Sequence, residues 1–333
     1  EQVMALINTE EFDYVNLHYH YFGSYHGSGT PDTRGGEGHA ACVARARELD
    51  MGVFQISPCD KGGKLYRPSA ELAKCIGKEL TPIGFALLFA WRRGGIDTSS
   101  IGIARPSDLD EAMGAVRLMN LHVKGEVDVD VILDGVISRL EKKFEDSVGK
   151  EWAEKGLLNL PSCYKEATDG VFLGHILWLH NLLTAYGMYE FCEDRYISLE
   201  FASWDKNKSF KENADKIPNG NPGRSYDENV DLTKALEKHY DPELALKKVK
   251  EVHEWLTGVL PKSNEELVQK GWKKGYNLTT WTEMPGEIDS RNESLVILQI
   301  MTGGRMGLKN LGPGETFRKE AKQLRSSLEK LKV

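Results

Sequence analysis

No run of about twenty apolar residues occurs anywhere in the chain, so no segment is suited to crossing a bilayer as a helix. A secretory leader is missing too: Glu1 opens directly onto the helical pattern Gln2-Val3-Met4-Ala5-Leu6-Ile7, so the natural start and any targeting segment are expected upstream. Cysteine is scarce, with Cys42, Cys59, Cys75, Cys163 and Cys192 scattered and none in a CxxC pair. An odd, dispersed set argues against a disulfide framework and for a reducing compartment, cytoplasmic by default. Positive charge is not in excess, since 43 Lys and Arg face 50 Asp and Glu for a net charge of -7. General attraction to nucleic acid or to an anionic membrane is thereby excluded. Neither G-x-x-x-x-G-K-[ST] nor G-x-G-x-x-G occurs, which leaves P-loop and classical dinucleotide-fold readings without support. There is no internal repeat and no low-complexity tract.

What is present is a βα alternation followed by helices. The 333 residues allow two domains, or one barrel with additions. Residues 1 to 11 read as the end of a helix, and Tyr14 to Tyr21 as a strand in which Asn16, His18 and His20 share one face. Gly23 to Gly38 is a long polar loop of the kind that serves as a lid, and His39 to Leu49 is an amphipathic helix. Gly52 to Ser57 is a buried strand that ends in Pro58 and a loop holding Gly62 and Gly63. Ser69 caps a helix over Ala70 to Leu80, and Thr81-Pro82 starts another that runs through Trp91. Thr98 to Ile103 is a third strand, followed by Ala104-Arg105-Pro106-Ser107 and a helix over Asp108 to Leu118. Such alternation implies a parallel sheet with helices outside it.

From about Asn120 helical patterns dominate: Val131 to Glu145, Phe172 to Tyr196, Leu232 to His239, Asp241 to Leu260, Asn264 to Lys270 and Glu315 to Lys332. Asp241-Pro242 is a good N-cap and first-turn pair. Residues 203 to 229, polar and holding Gly and Pro, read as a mobile surface loop.

Several motifs carry chemistry on one reading and none on another. The Gly62-Gly63 loop and the Gly102-to-Arg105 loop could offer backbone N–H groups and a cation to phosphates, or be ordinary βα turns. His18-x-His20 with His26 has the face-sharing of a metal site but no carboxylate or cysteine at a telling spacing, so polar sheet-lining residues are the better reading. Cys163 and Cys192 have the chemistry of nucleophiles but no activating base nearby in sequence, which favours buried inert thiols. Gly303 to Gly307 resembles an anion loop only loosely.

Taken together, Asp13-Tyr14-Val15-Asn16-Leu17-His18-Tyr19-His20-Tyr21, the stretch Gly52 to Tyr66, and Ser100 to Glu111 resemble the sixth, seventh and eighth barrel strands of the aldo/keto reductase family, in its order and spacing. The resemblance covers about residues 1 to 117. It implies the C-terminal part of a (β/α)8 TIM barrel over residues 1 to 119, followed by an α-helical extension over 120 to 333. It further implies reduction of a small-molecule carbonyl substrate by hydride from NADPH, with no metal. By this resemblance Asn16 takes the place of a Gln that holds the nicotinamide carboxamide. Ser57, Pro58, Gly62 and Gly63 match the pyrophosphate loop; Gly102, Ala104 and Arg105 match the turn around the adenosine 2′-phosphate, and Glu111 a carboxylate that holds the adenosine. Ile56 and Ala112 depart from the family's nicotinamide-stacking aromatic and adenine-contacting Asn. The family's catalytic Asp, Tyr, Lys and His belong to earlier strands, so no residue here is expected to be catalytic and the given chain is expected to be inactive alone. Residues 157 to 200, with Cys163 and Asn181 to Glu190, resemble the ferredoxin-like module of one subgroup. Only one of its cluster cysteines is kept, so no iron-sulfur cluster is expected. A second expectation is a non-catalytic nucleotide-binding or interaction protein derived from that family.

Overall fold

The computed structural model describes residues 2–22, 38–200, 204–205, 207–214 and 223–257. The fold is α/β, mostly helical around a small parallel sheet. In chain order it runs α1 (Gln2–Ile7), β1 (Tyr14–Leu17), α2 (Gly38–Glu48), β2 (Gly52–Ile56), α3 (Ala70–Ile76), α4 (Pro82–Arg93), β3 (Thr98–Ser100) and α5 (Pro106–Val123). There follow α6 (Val129–Val148), α7 (Lys150–Lys155), a 3-10 turn at Glu166–Thr168, α8 (Leu173–Tyr186), α9 (Tyr189–Glu200), α10 (Phe210–Ala214), α11 (Thr233–Leu236) and α12 (Pro242–Leu256).

The three strands lie side by side in sequence order, all parallel, with Leu17 opposite Gln55 and Gln55 opposite Ser99. Because strand side chains alternate between faces, this register separates two rows. Leu17, Val53 and Gln55 are buried on one face, whereas Tyr14 and Asn16 are exposed on the other and Phe54 and Ile56 only half-buried. Helices cover one face of the sheet; on the other, Tyr14 and Asn16 stand exposed among the described residues. Gln55 is tolerated in the covered layer because both ends of its amide are bonded: Nε2 donates to the Tyr19 carbonyl and Oε1 accepts from Ser99 Oγ at 2.8 Å. Trp91 Nε1 of α4 donates to the same hydroxyl at 3.0 Å, so α4, β3, β2 and the segment just after β1 are tied by one relay of bonds.

Caps set the helix starts. Ser69 Oγ accepts from Leu72 N, Thr81 Oγ1 from Gly84 N with Pro82 at the first position, and Asp241 from Leu244 N with Pro242 following. The helical part is built around α8, on which every residue except Thr184 is buried. A helix apolar all round needs partners on all sides, and α8 finds them in α6, α9 and α12. Its polar residues are matched: Asn181 Oδ1 accepts from Trp152 Nε1 at 2.7 Å, and His180 Nε2 meets Glu251 Oε2 at 3.0 Å. On α6 the spacing of Val129, Leu133, Val136 and Leu140 buries one stripe. No helix among the described residues is long and apolar enough to cross a membrane.

Several boundaries differ from the sequence reading. The first strand ends at Leu17 instead of Tyr21, and beyond it the His18 and His20 side chains both bond the Ile56 carbonyl. The third ends at Ser100, where Ser57 N captures the Ser100 carbonyl at 2.8 Å. The single helix expected over Phe172 to Tyr196 is two, separated at Gly187, whose φ of 62° is left-handed. Within the stretch read as a mobile loop, Arg224 is buried and its guanidinium bonds Asp169, which ties the end of that segment to the core. The expected lid over Gly23 to Gly38, apart from Gly38 itself, and the patterns at Asn264 to Lys270, Gly303 to Gly307 and Glu315 to Lys332 lie outside the described residues.

Candidate functional site

The loop after β2 is wound tightly by its own backbone. Ser57 sits at φ 52°, an uncommon conformation for a residue with a side chain and one that recurs at functional sites. This turns its carbonyl back to accept from Gly62 N at 3.2 Å. Gly63 N and Lys64 N both donate to the Asp60 carbonyl, and Leu65 N to that of Cys59. Gly62 passes so close to the Pro58 carbonyl that a Cβ there would overlap its oxygen and lie 2.9 Å from its carbon. Gly63, at φ 135°, is wedged against Met188 and Leu65, with Phe22 behind. The backbone N–H groups of Cys59, Asp60 and Lys61 donate to no acceptor among the described residues. Unpaired backbone N–H groups at the C-terminal end of a strand can receive an anion; Cys59 is wholly buried, which leaves those of the half-buried Asp60 and Lys61.

The loop after β3 lies beside it, since a Cβ on Gly102 would meet the Asp60 Cβ at 2.8 Å. Asp108, wholly buried, organises the start of α5: its Oδ2 accepts from Ala104 N at 2.8 Å and Arg105 N at 2.9 Å, and its Oδ1 from Arg105 Nε at 2.8 Å. Arg105 also reaches Glu111 at 3.3 Å. Burial, more than the opposing Thr81 hydroxyl and Arg105, pushes the Glu111 carboxyl up from its ordinary value. Within this trio the Arg105 charge is already matched by Asp108.

Of the residues predicted from sequence, Ser57, Pro58, Gly62, Gly63 and Gly102 are brought into one neighbourhood, with Asp60 as the join. Ala104, Arg105 and Glu111 gather about Asp108. Asn16 stands on the open sheet face, opposite Phe54 in register, with no side-chain hydrogen bond among the described residues.

Among the side chains that frame these loops, sequence reasoning passed over Tyr66 and read His18 and His20 only as polar sheet-lining residues. Tyr66 Oη donates to Asp60 Oδ1 at 2.8 Å, and burial together with that carboxylate pushes its phenol far up. His18 Nδ1 and His20 Nε2 both bond the Ile56 carbonyl, at 3.1 and 3.3 Å, with ring centres 5.3 Å apart. His39 Nδ1 donates to the His18 carbonyl at 2.6 Å. Burial first and the Lys61 charge second pull His18 down to about 4, and burial also holds His20 well below its ordinary value. Both rings are therefore neutral near pH 7. The alternation at residues 16, 18 and 20 signalled a shared polar face, but nothing in sequence signalled that the two imidazoles would cap one carbonyl. Among the described residues no cluster of three His, Cys, Asp or Glu is arranged to hold a metal ion. Cys59, Cys163 and Cys192 are buried. Burial raises the Cys59 and Cys192 thiols well above their ordinary values, contrary to what a nucleophile needs.

Comparison with family models, with curated proteins and with solved structures finds no match for this chain.

Proposed function

We propose that this chain is the cofactor-holding part of an NADP-dependent oxidoreductase of the aldo/keto reductase type, which reduces a small-molecule carbonyl substrate by hydride transfer. One observation carries the reading: among the described residues three parallel strands follow one another in sequence order, one face covered and the other exposed at Tyr14 and Asn16, and two neighbouring βα loops meet at their C-terminal edge. A parallel sheet is normally buried on both faces. An open face on such a sheet fits a wall of a barrel, where strands run in sequence order and the C-terminal loops bind ligand. In this reading β1, β2 and β3 are strands six to eight. The loop 57–63 receives the pyrophosphate on its free N–H groups, Asn16 meets the nicotinamide amide from the open face, and the turn at Gly102 to Arg105, with Glu111, holds the adenosine ribose. The nicotinamide supplies the hydride when bound; no residue of this chain is assigned as the proton donor.

The test is titration with NADPH followed by quenching of tryptophan fluorescence, with NADH in parallel. Saturable quenching that is lost in Gly62→Ala supports the reading, and its absence with both nucleotides sinks it. Preference for NADH would remove Arg105 from the 2′-phosphate role, which its pairing with Asp108 makes the weakest of these assignments. Turnover of a carbonyl substrate then separates an enzyme from a binding protein built on the same loops.

A further inference from the structure

Four contacts join the segment around the start of α9 to the loop after β2 and the helix start that follows it. Ser69 Oγ donates to the Tyr186 carbonyl, and the Met188 methyl stands 2.7 Å from where a Cβ on Gly63 would lie. Arg67 Nη1 lies 3.6 Å from Glu190 Oε2, and Lys64 Nζ pairs with Asp194. The two sides differ in how they are held. On the α9 side, the wholly buried Tyr196 meets His253 of α12 at 2.8 Å through its hydroxyl, and the helix packs against α8. The loop is shaped by its own turns: the amides of Gly62, Gly63, Lys64 and Leu65 all donate back to carbonyls of residues 57–60. Lys64 sits at φ 48°, an uncommon conformation that persists where the surroundings over-determine it. Its side chain, only 21% exposed, is fixed at the far end by Asp194.

We propose that Lys64 and Arg67 are positioning residues: through Asp194 and Glu190 of α9 they hold the loop after β2 in the shape that receives its ligand, which makes the helical part a working component of the site. The ligand touches neither cation in this assignment. One ion pair between exposed groups contributes little, but two pairs between the same two elements resist the same opening of the loop. Salt screens them, and leaves the Met188 contact and the Ser69 bond in place. The proposal rests on the loop being the pyrophosphate site and assigns the helical extension a part in it.

The experiment follows backbone amide exchange in the whole chain by NMR, with the amides of α8 as internal reference. The parent is compared with the double variant Glu190→Gln, Asp194→Asn. Expected is exchange at least about threefold faster at Gly62, Gly63, Lys64 and Leu65 in the variant, with α8 unchanged. Raising the salt from about 0.05 M to about 0.5 M should bring the parent's loop amides toward the variant's rate and barely move the variant's. Asp194→Lys alone should lose the protection, and adding Lys64→Asp should restore it, a rescue that general destabilisation does not give. Equal exchange in parent and double variant, or no rescue, overturns the proposal. NADPH affinity, read by tryptophan quenching, is expected to fall about two- to threefold in the double variant and to recover in the charge swap, because a looser loop costs more to order on binding. Unchanged affinity with a loosened loop overturns the link to the ligand. Should NADPH bind neither protein, the reductase reading falls, and the exchange results still decide whether α9 holds the loop.

Discussion

Gly62→Ala is the sharpest single perturbation of the loop on which the functional reading depends. The added methyl would overlap the Pro58 carbonyl oxygen and approach its carbon to 2.9 Å, while His20 Cδ2 stands at 3.3 Å on another side. Pro58 is buried, and the atoms in the way are backbone, so no flexible side chain can yield. The loop has to open, which stretches the Gly62 N to Ser57 carbonyl bond beyond its 3.2 Å. Overpacking of this kind costs about 1–3 kcal/mol, and a lost, largely buried backbone hydrogen bond adds about 1 kcal/mol. A destabilisation of about 2–4 kcal/mol is expected from the two together. Urea denaturation reads it as a lower midpoint at unchanged slope. Gly114→Ala on α5, where a Cβ meets nothing within 4 Å, is the matched control. It should gain about 0.5–1 kcal/mol from helix propensity alone. A Gly62→Ala protein within about 0.5 kcal/mol of its parent, close to the range of a neutral surface change, would refute the close approach.

Asp108→Ala strips three hydrogen bonds from the start of α5 and leaves the mostly buried Arg105 without its main counter-charge; a loss of about 3–5 kcal/mol is expected in the same urea assay. Trp152→Phe leaves the buried Asn181 oxygen without its 2.7 Å donor and should cost about 1–3 kcal/mol, seen as a lower melting temperature. His18 titrates at about 4 in the folded chain against 6.5 in its ordinary state, so on acidification the unfolded chain takes up the proton first. Its contribution to stability is present above pH 6.5 and is lost as pH falls towards 4, at no more than about 1.4 kcal/mol per pH unit. Urea midpoints at pH 7, 6 and 5 should therefore fall less steeply for His18→Gln than for the parent, and parallel profiles would contradict the buried neutral ring.

Elements that announce themselves locally were legible. Ser69, Thr81-Pro82 and Asp241-Pro242 fixed three helix starts because capping depends on residues within one turn. The three strands and their parallel order followed from short apolar runs separated by helical patterns. Gly187 escaped notice because the helical pattern continues on both sides of it, and only the left-handed backbone reveals the break. At the candidate site the glycine loops were legible through their composition. The meeting of the His18 and His20 rings on the Ile56 carbonyl was not, since that carbonyl lies 38 and 36 positions away in the chain and no local pattern tells which backbone group two imidazoles reach.

Ser69 caps α3 and in the same place gives its hydroxyl proton to the carbonyl of Tyr186, 117 residues later. The order of synthesis gives that bond a temporal meaning. When the sheet and its first helices have left the ribosome, the residue that completes the start of α3 has yet to be made, as has Met188, which presses on Gly63. The loop after β2 therefore completes its packing late, after α8 has emerged and docked. Until that helix arrives the nascent sheet keeps uncovered surface, the condition in which chains are prone to misassociate.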